Sequence, residues 1–399
     1  MISNQLYRLL QCPTCNSRDL VVTDAGVYCA RCNNDYPRCD GYLDLMPRGI
    51  EFGYVSKYVS EEDELAEELD YRELAPPLLA AGVRDRALAR LLDFQPTDVV
   101  LDNGCGTAKH AVWNADKVAL MVGSDPATLF ADAAVEQITL TKADSRRLPF
   151  ADNTFDKGFS IDVLEHFPRD LIDSYLAEMA RVLKPGGRFM AFSNTREPSS
   201  LQPLVTASRK LGRLFVRAGV YDFQREARRK SDHVKALETW EDVLDAMNKA
   251  GVRPVKVVFW NSVFTSFVEH VLMKLGEAAI GRTKNKEQRS ENQELRTENQ
   301  DIRSKEQRTE HVLSVAEGNK GQFNATKQAL ITQNSKLKTQ NSAGTDREIR
   351  ARQRLRSRLH QRGPVLWALQ AVTLLMELDL WLFGRLRSGS YFIIVEKPR

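Results

Sequence analysis

The chain has little cysteine, little net charge and no long uninterrupted apolar run. Six cysteines in 399 residues, four of them in two close pairs, do not make the dense framework of a disulfide scaffold. A formal net charge of +4 gives no global argument for nucleic acid. The opening MISNQLYRLLQCPTC lacks a basic stretch followed by a long apolar one, so no signal peptide is expected. A reduced, cytoplasmic setting is therefore the expectation. The stretch PVLWALQAVTLLMELDLWLFGRL is interrupted by Glu377 and Asp379. Its unbroken part is shorter than the roughly 20 residues of a spanning helix, so it reads as a buried or interfacial helix. What is present suffices for a sizeable core: 42% hydrophobic against 28% charged residues, over a length that suits more than one domain.

The paired cysteines are Cys12 and Cys15 in CPTC, then Cys29 and Cys32 in CARC, with thirteen residues between the pairs. Two knuckles at this spacing set four thiolates around one tetrahedral Zn²⁺. A closed Cys₄ set leaves no position for substrate, so such a zinc is structural. Cys39 reads as spare packing. The text that follows, NNDYPRCDGYLDLMP, makes residues 1–47 resemble the zinc ribbon of the small activator subunit shared by tRNA and rRNA methyltransferases. It also resembles the N-terminal ribbon of bacterial rRNA guanine-N1 methyltransferases, although all four ligands here are Cys. The ribbon is expected to cap the next domain or help hold substrate.

Residues 48–98 read as a helical linker, with a charged stretch EEDELAEELDYRELA, two prolines and a resumed helical pattern in ALARLLDF. Over 99–261, strand-like segments (DVVLD, ALMVGSD, ITLTKAD, FDKGFSID, GRFMAFSN, PVKVVFW) alternate with helical text such as LIDSYLAEMARVLKPGG. That alternation implies a mostly parallel sheet with helices on both faces.

Within it, VVLDNGCGTAKH is a strand ending at Asp102, then Gly104, Cys105, Gly106 and Thr107, then a helix. Glycines at a strand-to-helix turn let the backbone approach a ligand. Asp125 ends the next strand, about twenty residues on, where an acid can accept from both hydroxyls of a ribose. KADSRRLPF ends a third strand at Asp144, and FDKGFSIDVLEHF carries a fourth into VLEH. The order and spacing of these four motifs resemble class I S-adenosylmethionine-dependent methyltransferases, in the branch that includes quinone-biosynthesis enzymes. The resemblance implies an α/β, Rossmann-like seven-stranded sheet with an antiparallel last strand. It also implies that Asp102, Gly104, Cys105 and Gly106 line the methionine side of the cofactor. Asp125 then binds the ribose, Asp144 contacts the adenine amino group with Ser145 beside it, and Ile161 and Asp162 lie beneath the transferred methyl. Ala108 stands where the family has a third glycine.

Methyl transfer mainly asks the protein to align the acceptor and exclude water. A base is needed only if the acceptor loses a proton early. His166, beside Glu165 just past the fourth strand, is one candidate; His233, in the segment between the fifth and sixth strands, is another. No NPPY-type signature for methylating base amino groups occurs. The expected acceptor is a small molecule, lipid or lipid-linked metabolite. The alternatives are a tRNA or rRNA base methyltransferase that grips RNA with its ribbon, and an inactive methyltransferase-fold adaptor.

Residues 262–281 read as an amphipathic helix, 282–346 as a polar low-complexity insert with a short seven-residue repeat, and 347–388 as a basic run leading into the apolar helix. Only one apolar position per repeat argues against a coiled coil. Basic residues beside apolar helices suit contact with an anionic membrane surface, or else the two helices pack as a hairpin. The chain ends on SGSYFIIVEKPR, a strand with no partner nearby. The sixth strand of the core lacks a neighbour, so 389–399 is expected to supply it.

Overall fold

The computed structural model describes residues 4–51, 55, 57–60, 62, 72–217, 234–272 and 363–399. His233, the polar insert 282–346 and the basic run up to 362 lie outside those residues, as does the amphipathic segment beyond Leu272.

The first unit is a three-stranded antiparallel sheet of β1 (Leu20–Thr23), β2 (Gly26–Cys29) and β3 (Asn34–Pro37). Each CxxC knuckle turns over an asparagine in the left-handed region, Asn16 at φ 60° and Asn33 at φ 57°. Asparagine tolerates that conformation better than other side-chain-bearing residues. The turns close by Asn16 N–H donating to Cys12 O and Asn33 N–H to Cys29 O.

The ribbon does not end at its own sheet. β4 (Tyr42–Asp44) leaves it and pairs in parallel with β7 (Thr139–Lys142). The main sheet therefore has eight strands rather than the expected seven, in the order β10-β11-β9-β8-β5-β6-β7-β4. The other members are β5 (Val99–Asn103), β6 (Leu120–Asp125), β8 (Phe155–Ile161), β9 (Leu183–Asn194), β10 (Arg253–Phe259) and β11 (Ser390–Glu396). Leu6, Leu10, Tyr36 and Leu43 of the ribbon share one buried cluster with Phe150, Phe155 and Leu148 of the core. Gln11 N–H donates to Pro149 O and Ala151 N–H to Leu9 O, which ties the two backbones together.

Strands β7, β6, β5, β8 and β9 are parallel, and the order reverses between β5 and β8. Ligands of open α/β sheets sit at the strand C-termini above such a reversal. The strand from the far end of the sequence, β11, lies antiparallel between β9 and β10; it pairs with β9 unbroken from Ser390 to Glu396 and with β10 from Tyr391 to Glu396 across a bulge between Pro254 and Lys256. Tyr391 to Val395 are buried without exception, because both neighbours of β11 are paired and both faces are covered. Phe392 packs on Phe192 at 4.5 Å between ring centroids, and Tyr391 meets Trp240 edge-on.

The apolar helix runs unbroken over Pro364–Phe383, through both acids. Glu377 and Asp379 do not interrupt it because the protein satisfies them. Glu377 pairs with Arg86 at 3.2 Å and Arg90 at 3.3 Å on the helix Leu79–Leu92. Asp379 is fully buried and accepts from the backbone N–H of Phe264 and Thr265, both at 2.9 Å. These are free donors at the start of the helix Val263–Phe267, which the carboxylate caps. Phe264 stacks on Phe383, so the two apolar helices pack against each other.

Candidate functional site

The nine residues singled out for the cofactor all lie on one rim. Asp102 is on the last turn of β5, Asp125 ends β6, Asp144 and Ser145 follow β7, and Ile161 ends β8 with Asp162 next. Gly104, Cys105 and Gly106 form the turn after β5.

The two glycines are required for different reasons. Gly104, at φ +82°, would drive a Cβ to 2.5 Å from Val163, so its smallness admits a protein neighbour rather than a ligand. Gly106, at φ +53°, faces open space, and here the backbone is left bare toward the crevice. Ala108 is also left-handed, at φ 58°, which marks the position as one suited to glycine.

Asp125 is the centre of the arrangement. Its carboxylate accepts from Gly106 N–H at 2.8 Å and Ala127 N–H at 2.9 Å, which fixes its orientation. Burial pushes its pKa up to about 6, against these two hydrogen bonds. Glu62 lies close enough to raise it further, and is itself held by Thr128 N–H at 2.8 Å. Burial and the neighbouring Asp125 also push Asp102 well above the carboxylate range. Cys105 stays a neutral thiol beneath both acids. Among the described residues, neither Asp102 nor Asp125 forms an ion pair. A ligand that brings a positive charge and a pair of hydroxyl donors relieves this strain, which is the chemistry of S-adenosylmethionine.

Other members are engaged by the protein. Asp144 is gripped by the Arg146 guanidinium, with Nε at 2.7 Å from one oxygen. Ser145 donates to Asn103 Oδ1 at 2.8 Å, and Tyr175 donates to Asn103 O at 3.0 Å. Asn103 thus ties the ends of β5 and β7 to the helix Arg169–Val182. Asp162, at φ 60°, pairs with Arg84 at 2.9 Å.

Nothing in the local sequence marks Arg84. It reads as one of several cations on a helix face, yet its guanidinium lies over the rings of Phe192 and Trp260. Arg84 thus links Asp162, at the end of β8, to the buried rings of Phe192 and Trp260. His166 is buried in a short turn and meets Tyr58 edge-on at 5.6 Å. Glu165 turns inward, where it accepts from Ser193 Oγ at 2.7 Å and Asn194 Nδ2 at 3.2 Å. Burial, then Asp162, raises its pKa to about 7.

In the ribbon, the four thiol sulfurs of Cys12, Cys15, Cys29 and Cys32 lie within 4.8 Å of one another. The Cys12–Cys32 and Cys15–Cys29 separations are 3.5 and 3.6 Å. A tetrahedron with Zn–S bonds of about 2.3 Å has edges of about 3.8 Å, so the cage fits zinc. Cys39 is not part of it.

Residues 101–191 match the family model described as a methyltransferase domain. Methyltransferase GfsG of Streptomyces halstedii is 33% identical over 142 residues, which cover 33% of this chain and 50% of that protein. A demethylmenaquinone methyltransferase of Symbiobacterium thermophilum is 31% identical over 175 residues, covering 39% of this chain and 64% of that one. The chain thus spans about half the length of the first of these relatives. Among solved structures, phosphoethanolamine N-methyltransferase 2 of Haemonchus contortus with S-adenosyl-L-methionine aligns with a TM-score of 0.43 and 15% identity, over 88% of this chain and 61% of that one. The family match makes residues 101–191 similar to methyltransferase domains, and the strand order and the acids on the rim agree with that likeness.

Proposed function

We propose that the protein is an S-adenosylmethionine-dependent methyltransferase acting on a small apolar, lipid or lipid-linked acceptor. The observation that carries the cofactor reading is the pair of buried acids, Asp102 and Asp125, beside the bare backbone of Gly106, and the acceptor class rests on the relatives. Similarity to a demethylmenaquinone methyltransferase supports the same class. When bound, the cofactor supplies a methyl group already activated by its sulfonium charge.

Asp125 would hold the ribose hydroxyls, with Gly106 leaving room beside it. Asp102 would face the cationic methionine end. Arg84 holds Asp162 in place at the end of β8. His166 is the residue we assign as base if the acceptor must lose a proton; the tyrosine edge against it fixes its ring. Residues Cys12, Cys15, Cys29 and Cys32 would hold a structural zinc, in keeping with a reduced, cytoplasmic setting.

Calorimetry with S-adenosylhomocysteine tests the cofactor reading, and absence of binding to the wild type would leave an inactive adaptor as the better account. A methyl-transfer screen comparing isoprenoid-linked, sterol and RNA acceptors tests the acceptor class. Turnover of RNA alone would move the ribbon into the substrate site. Metal analysis of freshly reduced protein is expected to give about one zinc per chain.

A further inference from the structure

The helix Pro364–Phe383 turns its acids inward, beside the buried Met376 and Leu380, and exposes large apolar side chains outward. Its acids Glu377 and Asp379 are directed to partners on the protein. Thr373 is turned inward too, where its hydroxyl accepts from Leu79 N–H at 2.8 Å. On the other side, Trp367, Ala371, Leu374, Leu378 and Trp381 follow one another at spacings of four and three, which sets them along one face. Trp367 is 63% exposed, Leu374 56% and Trp381 78%. A helix face that met only water would carry charge here. An uninterrupted apolar row marks a contact surface instead.

The chemistry of the row selects its partner. It is about 21 Å long by helical rise, holds Trp at both ends and contains no hydrogen-bonding group but the indole N–H. Its edges are cationic. Arg385 is exposed just past its end, and Arg209 and Lys210 are exposed on the helix Gln202–Arg217, which also exposes Leu204 and Leu211. That helix joins Val263–Phe267, which in turn joins Pro364–Phe383, in one layer. Trp and Leu on one face with cations at the margin suit the interface of an anionic bilayer.

We infer that Pro364–Phe383 lies in the plane of an anionic lipid surface and immerses the row from Trp367 to Trp381. By length and composition this helix could cross a membrane. Crossing would strip Asp379 from the helix it caps and Glu377 from two arginines, so the helix stays fastened and lies flat. The inner side of the same helix meets the core, where Trp260 Nε1–H donates toward Asp379 at 3.4 Å and the indole ring lies under the Arg84 guanidinium. The inference does not depend on methyl transfer and stands or falls apart from it.

The test is co-sedimentation of the full chain with phosphatidylglycerol–phosphatidylcholine vesicles and with phosphatidylcholine vesicles alone. Binding is expected to favour the anionic vesicles and to weaken with salt. The double variant Trp367→Glu, Trp381→Glu is expected to bind about tenfold more weakly or worse, because it puts charge into the apolar face. Brominated lipids are expected to quench the tryptophan fluorescence of the wild type, a readout that needs no variant. Calorimetry with S-adenosylhomocysteine on the same variant reports that the domain is folded, and so separates this inference from the cofactor reading. Failure of the wild type to sediment, or unchanged sedimentation of a folded double variant, would overturn it. So would light scattering that shows a wild-type dimer and a monomeric variant, since the row would then belong to a second copy.

Discussion

The two halves of the main sheet treat their acids differently. On the side of β5, β6 and β7, Asp144 is held by Arg146, but Asp102 and Asp125 are buried and form no ion pair among the described residues, and each sits above the carboxylate range. On the side of β8, β9, β11 and β10, every acid described above has a protein partner. Asp162 has Arg84, Glu165 has Ser193 and Asn194, and Asp379 caps a helix. Buried charge persists only where something compensates it. Asp102 and Asp125 therefore suit a ligand that compensates them, whereas the acids of the second half are satisfied by the protein itself.

The largest effect expected from this contrast is on the second half. It closes only through β11, and deleting residues 390–399 should leave no cooperative thermal transition. The milder Phe392→Ala should still fold, at a cost of about 3–5 kcal/mol in denaturant unfolding. A truncated chain that melts cooperatively at the wild-type temperature would show that β10 and β9 close without β11. Next comes Asp379→Ala. It leaves the two backbone donors of Phe264 and Thr265 uncapped, while the Trp260 indole keeps Thr265 Oγ1 at 3.0 Å, so roughly 3 kcal/mol of stability should be lost. Affinity for S-adenosylhomocysteine should stay unchanged, because Asp379 acts only in the second half.

How much of this was legible depends on the range of the interactions. The four cysteines, Gly106 and the strand-end acids were readable because local spacing along one or two strands sets them. β11 was readable because a buried strand needs neighbours, and only β10 lacked one. The eighth strand, β4, was not: three residues, Tyr42–Asp44, carry no pattern, and only the edge of β7 makes them a strand. Glu377 and Asp379 looked like breaks in an apolar run, since the arginines and the helix start that satisfy them lie more than a hundred positions earlier in the chain. Arg84 was hidden in the same way. The ordinary local text of an amphipathic helix conceals a contact with Asp162, Phe192 and Trp260.

In the first half the effects should fall on binding rather than on folding. Asp125→Ala removes the acceptor of two charged hydrogen bonds to the ribose, each worth about 1.5 kcal/mol or more, so affinity for S-adenosylhomocysteine should fall about a hundredfold. The melting temperature of the free protein should fall less than for Asp379→Ala, because losing the acceptor for Gly106 and Ala127 is offset by removing a strained buried carboxyl. A large drop in stability with little change in affinity would invert the contrast between the halves, and would make Asp125 a structural acid.

The finest test is pH. In the free protein the Asp125 carboxyl titrates at about 6, raised from 3.8 by burial. Only its ionised form can accept from the ribose while also accepting from Gly106 and Ala127. Above about pH 6 the site is already ionised and affinity should be flat. Below it, binding must first expel a proton, so the dissociation constant for S-adenosylhomocysteine should rise by up to about tenfold per pH unit, and the complex should form with proton release. The trend ends where the carboxyl of the bound form protonates, at a pKa the ligand lowers. Asp125→Asn cannot titrate, so its weaker binding should lose this dependence. Calorimetry in two buffers of different ionisation enthalpy measures the released proton directly. A wild-type profile flat from neutral pH to well below 6, with no proton release, would mean that Asp125 is ionised before the ligand arrives and that the first half of the sheet is not strained at all.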